Sequence, residues 1–202
     1  MDFQTLLHDC VPPSYQERMA RIVEVESGRN PYAIGVVGGH LVRQPRQLDE
    51  AIATAKALDR AGWNFSLGHA QVNKHNLGRM GLDYETAFDA CRNLKAGAAI
   101  LTECDQRAKQ TYPDDRAQHA AHSCYYSGNF TRGFKPDRPG GTSYVQRVAS
   151  AGGKTTRPIP VIPDDKPQAA TGQREETPVM PAKWDVLGEF SAGSNSFFQS
   201  NQ

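Results

Sequence analysis

Met19, Ile22 and Val23 recur at the i, i+3, i+4 spacing of one helix face, and this stripe predicts an amphipathic helix from about Pro13 to Ser27. Glu26 takes the next position of the stripe, whereas Glu17, Arg21 and Glu24 fall on the polar side. A carboxyl group on a core-facing stripe is disfavoured in its ionised form, so its pKa should rise and leave it able to donate a proton near neutrality. The alternative is a helix-end glutamate that bends out to solvent, and spacing alone leaves both readings open.

The same periodicity continues along the chain. Leu48, Ile52, Ala55 and Leu58 predict a helix over about Leu48 to Ala61, with Gly62 as its stop. Cys91, Leu94, Ala98 and Leu101 predict another over about Asp89 to Ala108. Asp114 and Asp115 are N-cap candidates for a helix through Tyr125, ended by Gly128, and a short helix is expected over Ser143 to Ala149. Between them lie a Gly- and Val-rich stretch, Gly35 to Gly39, and a turn-rich segment, Trp63 to Gly81, with few helix signals. Residues 1–150 therefore predict one mainly α domain. From Gly152 onward Pro158, Pro160, Pro163, Pro167, Pro178 and Pro181 recur among Thr, Gln, Lys and Glu. Such a stretch cannot bury enough apolar surface to offset ordering, so 151–202 is expected to be a disordered, Pro-rich tail. Within it, Trp184 to Phe190 is an apolar island, either a docking segment for a partner or a chance cluster.

Composition narrows the chemistry. With 38% hydrophobic residues, a net charge of +1 and no Lys/Arg block, the 202-residue chain carries no electrostatic footprint for nucleic acid or anionic lipid. No apolar run approaches the ~20 residues needed to span a bilayer. The segment Met1 to Asp9 lacks the basic and apolar regions of a secretory signal, which by itself reads as cytoplasmic. The four cysteines, Cys10, Cys91, Cys104 and Cys124, pull the other way: an even count fits two disulfides in an oxidising compartment, although four buried thiols remain open. Cys91 and Cys104 sit on one predicted helix, about 20 Å apart at ~1.5 Å rise per residue, too far to pair with each other. No C-x-x-C pair or nucleotide-binding glycine loop is present, and His119, His122 and Cys124 lack the acidic partner that would favour zinc, so no metal or cofactor is expected. What is left is Glu26, glycine-bearing loops with amide and hydroxyl side chains, and several tyrosines, equipment suited to holding a sugar or another polar polymer.

Three motifs turn this into a resemblance. Glu26-Ser27 is followed by Asn30-Pro31 and Ala33-Ile34-Gly35; Ser66-Leu67-Gly68-His69-Ala70-Gln71-Val72-Asn73 comes second; Cys124-Tyr125-Tyr126-Ser127-Gly128-Asn129-Phe130 comes third. In this order they resemble the lytic transglycosylases of the lysozyme-like superfamily, and closely the branch that cleaves peptidoglycan in bacterial type IV secretion systems. His69 and Ala70 stand where the wider family has Leu and Met, and Tyr126 stands where it has Asn. These departures, with Leu41-Val42-Arg43-Gln44-Pro45 and Gly62-Trp63-Asn64-Phe65-Ser66, are typical of that branch. The resemblance covers about residues 10 to 150.

The resemblance implies a lysozyme-like helical domain with a cleft, in which Glu26 is the catalytic acid and base. It implies cleavage of the β-1,4 bond between N-acetylmuramic acid and N-acetylglucosamine with closure of a 1,6-anhydro ring, without a cofactor. Gln71 and Tyr125 are implied to hold the sugar and orient Glu26; Ser27, Asn30 and Asn73 chiefly to tie loops together; and Asn76 and Tyr144 to contribute less. It further implies a Cys91–Cys124 and Cys10–Cys104 pairing, a periplasmic location despite the absence of a recognisable signal peptide, and partners among secretion-system components reached through the tail. A lysozyme-type hydrolase that uses water, and an assembly protein acting mainly through its tail, are the competing expectations.

Overall fold

A computed structural model describes residues 2–151. The expected tail and its 184–190 docking segment lie outside these residues.

The described chain is mainly helical. Helix α1 (Phe3–Cys10) has no counterpart among the expected elements; Asp2 caps it by accepting from the Gln4 and Thr5 amides, and Leu7 and Cys10 are its buried residues. A 3-10 turn at Pro13–Tyr15 leads into α2 (Gln16–Ser27), whose Met19, Ile22 and Val23 are fully buried. Helix α3 (Leu48–Arg60) buries Ala55 of the expected face fully and packs Ile52 and Leu58 part-buried against the core, whereas Leu48 is 41% exposed and Ala51, outside that stripe, is fully buried.

The segment Trp63 to Gly81 is richer than its turn signals indicate. It holds β2 (Phe65–Leu67), β3 (Val72–Asn73) and the short α4 (Lys74–Leu77), and β2 pairs antiparallel with both β1 (Ile34–Val36) and β3. These strands of two or three residues are too short to show a period-2 pattern in sequence.

Helix α5 (Ala90–Lys109), capped by Asp89, runs through the core, and α6 (Asp114–Ser127) packs against it. Asp114 and Asp115 occupy the first turn of α6, where the helix dipole favours acids, and Pro113 takes the cap position itself. Gly128, at φ +75°, ends α6 in the left-handed region, as expected. Helix α7 (Tyr144–Ala151) closes the domain against α2 and α6.

The cysteine pairing corrects the expected one. The disulfides are Cys10–Cys91 and Cys104–Cys124, with Cα separations of 5.3 and 5.7 Å, in place of Cys91–Cys124 and Cys10–Cys104. The reason is the helix arrangement. α1 packs on α5 and brings its last residue to the start of that helix, while Cys124, late in α6, meets α5 well beyond Cys91.

Candidate active site

Glu26 sits at the C-terminal end of α2, on the side that buries Met19, Ile22 and Val23, and just beyond it Gly28 (φ +56°) stops the helix. Its carboxyl group is part-buried at the head of a groove of about 470 Å³. The Tyr144 hydroxyl, at the start of α7, donates to Glu26 Oε1 at 2.7 Å. Burial pushes the Glu26 carboxyl up to about 7, against the smaller opposing pulls of the Tyr144 hydrogen bond and the Arg147 charge. The Tyr144 and Tyr125 hydroxyls are themselves raised well above their ordinary value, by burial first and then by the nearby Glu26, so both stay protonated donors.

The three short strands form one wall of the groove, and their register explains which residues face it. Gly35 aligns with Ser66, and Ser66 with Asn73; all three line the groove. The neighbouring row, Ile34, Leu67 and Val72, is buried in the core. Alternation along the strands thus separates a polar row from an apolar one. Asn73 is tied on both sides: its Nδ2 donates to Asn64 Oδ1 (2.9 Å) and Ser66 Oγ (3.3 Å), and its Oδ1 caps α4 through the His75 amide.

Gln71 lies in the turn between β2 and β3 with φ +46°, an unusual conformation for a residue with a side chain. Its Nε2 donates to the carbonyls of Ala33 (3.0 Å) and Gly68 (2.8 Å), which leaves Oε1 beside Gly35. A Cβ on Gly35 would come within 2.6 Å of that oxygen, so glycine there keeps the Gln71 side chain in place. The turn is held from beneath by Asn93, fully buried on α5: it accepts from the Ala70 amide (2.7 Å) and donates to the carbonyls of Leu67 (2.9 Å) and Ala87 (2.8 Å). On the outer edge of β1, Gln44 accepts from the Ile34 amide and donates to the Ile34 carbonyl, standing in for a fourth strand.

Of the residues singled out from sequence, Glu26, Gln71, Asn73, Asn76 and Tyr125 line the groove, with Tyr126 and Asn64 beside them. Tyr125 uses its hydroxyl on the Ala70 carbonyl (2.7 Å) and not on Glu26. Two residues fall elsewhere. The Ser27 hydroxyl donates to the His69 carbonyl (2.9 Å), joining α2 to the Gln71 turn. Tyr144 is buried; its ring stacks on Tyr126 at 4.6 Å and its hydroxyl donates to Glu26, and it is not among the residues that line the groove. Of the residues a zinc site would use, Cys124 is in a disulfide and His122 is buried against Arg18. Asn93 and Gln44 are contributors that sequence reasoning missed. Asn93 interrupts the apolar stripe of α5, and that interruption was the available signal.

A family model described as the transglycosylase SLT domain matches residues 13–139. The type IV secretion system protein virB1 of Brucella suis is 56% identical over 163 residues, covering 80% of this chain and 68% of that protein, and its Brucella abortus counterpart matches equally well. Protein virB1 of Agrobacterium fabrum is 26% identical over 197 residues, 96% of this chain and 73% of that protein. No solved structure matches.

Proposed function

This chain belongs to the transglycosylase SLT family and is by that membership a peptidoglycan lytic transglycosylase; on that premise we propose that Glu26 alone carries bond cleavage, first as acid and then as base. Glu26, protonated, gives its proton to the oxygen that links N-acetylmuramic acid to N-acetylglucosamine. The bond from the muramic anomeric carbon to that oxygen breaks, and its electron pair leaves with the oxygen. The cationic anomeric centre is met by the substrate's own acetamido oxygen. Glu26, now a carboxylate, takes the proton of the muramic 6-hydroxyl, whose oxygen bonds to the anomeric carbon and closes a 1,6-anhydro ring. Glu26 ends protonated, and no water is consumed.

One observation carries this reading: Glu26 is the only carboxylate among the described residues that line the groove. A two-carboxylate glycosidase needs a second acid as nucleophile or to activate water. A proton affinity poised near 7 suits one group that must both give and take a proton. Within the groove, Gln71 Oε1 and the amide and hydroxyl groups of Asn64, Ser66, Asn73 and Asn76 are the groups we assign to the sugar hydroxyls and acetamido groups. The likeness to proteins named for type IV secretion leads us to place the activity with such a system, opening the wall for channel assembly in the periplasm. Two disulfides suit that compartment. Residues 151–202 are proposed to contact other secretion components.

Mass spectrometry of purified wall digested by the protein tests the reaction. Fragments ending in anhydromuramic acid, lighter by one water than the hydrolytic product, are expected. Fragments ending in reducing muramic acid would mark a hydrolase of lysozyme type instead.

A further inference from the structure

Behind Glu26 lies a cluster that the cleavage chemistry does not use directly. Asp137, in the loop before α7, accepts from three donors: the Tyr126 hydroxyl and Arg132 Nη2 at 2.7 Å each on Oδ1, and Arg147 Nη2 at 3.3 Å on Oδ2. The two arginines lie over the two stacked tyrosine rings, Arg132 5.8 Å from the Tyr126 centroid and Arg147 5.7 Å from that of Tyr144. Arg147 also donates to the Thr142 carbonyl, and Pro136 bridges to Ser143, so the loop is anchored where α7 begins. Asp137 is therefore joined to Glu26 by consecutive contacts: its carboxylate to the Tyr126 hydroxyl, the Tyr126 ring to the Tyr144 ring, and the Tyr144 hydroxyl to Glu26.

We propose that Asp137 is a positioning residue for Glu26, acting by two routes: it fixes the Tyr126–Tyr144 stack that aims the Tyr144 hydroxyl, and it holds the Arg147 guanidinium as its own counterion. This rests on the reading of Glu26 as the reacting acid. The charged and titratable groups around Glu26 are Tyr144 and Arg147 from α7 and Tyr125 from α6; Arg21, on the polar side of α2, is engaged with Glu17 and the Ala149 carbonyl. Those facing Asp137 are Tyr126 from α6, Arg132 from the preceding turn and Arg147 from α7. The Tyr126 hydroxyl, then the two guanidiniums, hold the Asp137 carboxyl below the usual carboxylate range, so it is ionised wherever the enzyme works. Neutralising it leaves Arg147 with one fewer anion to face, and Glu26, on which Arg147 already acts, becomes the remaining carboxyl group of the cluster that its charge can favour. A cation freed in this way favours the Glu26 carboxylate and removes the proton that the first step needs.

The test is the titration of Glu26 itself, read by carbon NMR of its carboxyl in the full chain with disulfides intact, for the wild type, D137N, R147Q and the double variant. Asparagine keeps the Oδ1 acceptor for Tyr126 and Arg132, and removes the charge together with the acceptor that Arg147 uses. The expected midpoint falls by about one pH unit in D137N, rises in R147Q, and returns toward wild type in the double variant. On purified wall, kcat of D137N above neutrality should fall roughly tenfold in step with the midpoint, with KM little changed, and D137E should restore it. A merely structural Asp137 would lower activity evenly across pH and leave the midpoint alone. An unmoved Glu26 midpoint in D137N, or a double variant shifted as far as D137N, overturns the proposal. Because the titration needs no turnover, variants that titrate as expected in a protein that does not cleave wall would count against the proposed function and leave this inference standing.

Discussion

Replacing Glu26 by glutamine removes an ionisable group while keeping its outline, and the structure sets both the sign and the size of the effect on stability. Folding raises the Glu26 pKa from 4.5 to about 7, chiefly by burial. The native state therefore holds this proton more tightly than the unfolded chain does. The cost of burying the carboxylate is absent below the unfolded value of 4.5, grows as the pH rises between 4.5 and about 7, and is complete above it. At ~1.4 kcal/mol per tenfold change in proton affinity, the full move corresponds to about 3 kcal/mol, and partial solvent access reduces this to about 2–3 kcal/mol. E26Q should match the wild type near pH 4 and exceed it by about 2 kcal/mol at pH 8. The oxygen of the introduced amide can still accept from Tyr144, at a loss of some tenths of a kcal/mol relative to a charged acceptor. Urea unfolding of both proteins, disulfides oxidised, in half-unit steps of pH gives the difference directly. Other titrating groups are common to both chains and cancel. A stability difference that stays flat with pH, or an E26Q protein that loses stability relative to the wild type as the pH rises, would refute a desolvated acid at this position.

Tyr144→Phe removes the 2.7 Å hydrogen bond to Glu26. It should lower kcat roughly tenfold or more with little change in KM, and move the alkaline limb of the pH profile upward, because that bond favours the carboxylate; a downward shift would contradict the assignment. The two disulfides close loops of different length, 81 and 20 residues. Chain entropy then predicts a loss of about 4.5 kcal/mol for the C10S/C91S pair and about 3.3 kcal/mol for C104S/C124S in chemical unfolding, and a reversed order would show that packing, not loop closure, sets the cost. Burial, with the Arg18 charge, pushes the His122 imidazole down to about 4, so its contribution is present above 6.5 and lost as the pH falls through 4. His122→Asn should therefore flatten the loss of stability between pH 6.5 and pH 4 by up to about 3 kcal/mol, and acid unfolding with undiminished steepness would contradict it.

Much of this domain was legible along the chain because helices α2 and α5 carry their core contacts at regular spacing and α6 is marked by the residues at its two ends. Glu26 stood out for the same reason, as an acid on an apolar stripe. Other parts depend on contacts that spacing does not encode. Tyr144 meets Glu26 across 118 residues, and only the docking of α7 on α2 brings them together. The groove wall is built from strands too short to alternate visibly, and its polar row, Gly35, Ser66 and Asn73, exists only through their register. Asn93 counts against a helix stripe until its partners are known: it serves the backbone of the Gln71 turn, not the core. The cysteine pairing was out of reach for a related reason. Periodicity places Cys91 and Cys104 on α5 but is silent on where α1 and α6 cross it.

The proposed cleavage turns on a single carboxyl group that gives and then recovers one proton. The rate at which purified peptidoglycan is solubilised by E26Q, set beside that of the wild type at the same pH, tests this most directly. A loss of about 10²–10⁴-fold, in a protein as stable as the wild type or more so, is the predicted result. Wild-type solubilisation by E26Q would contradict it and send the search for the acid elsewhere.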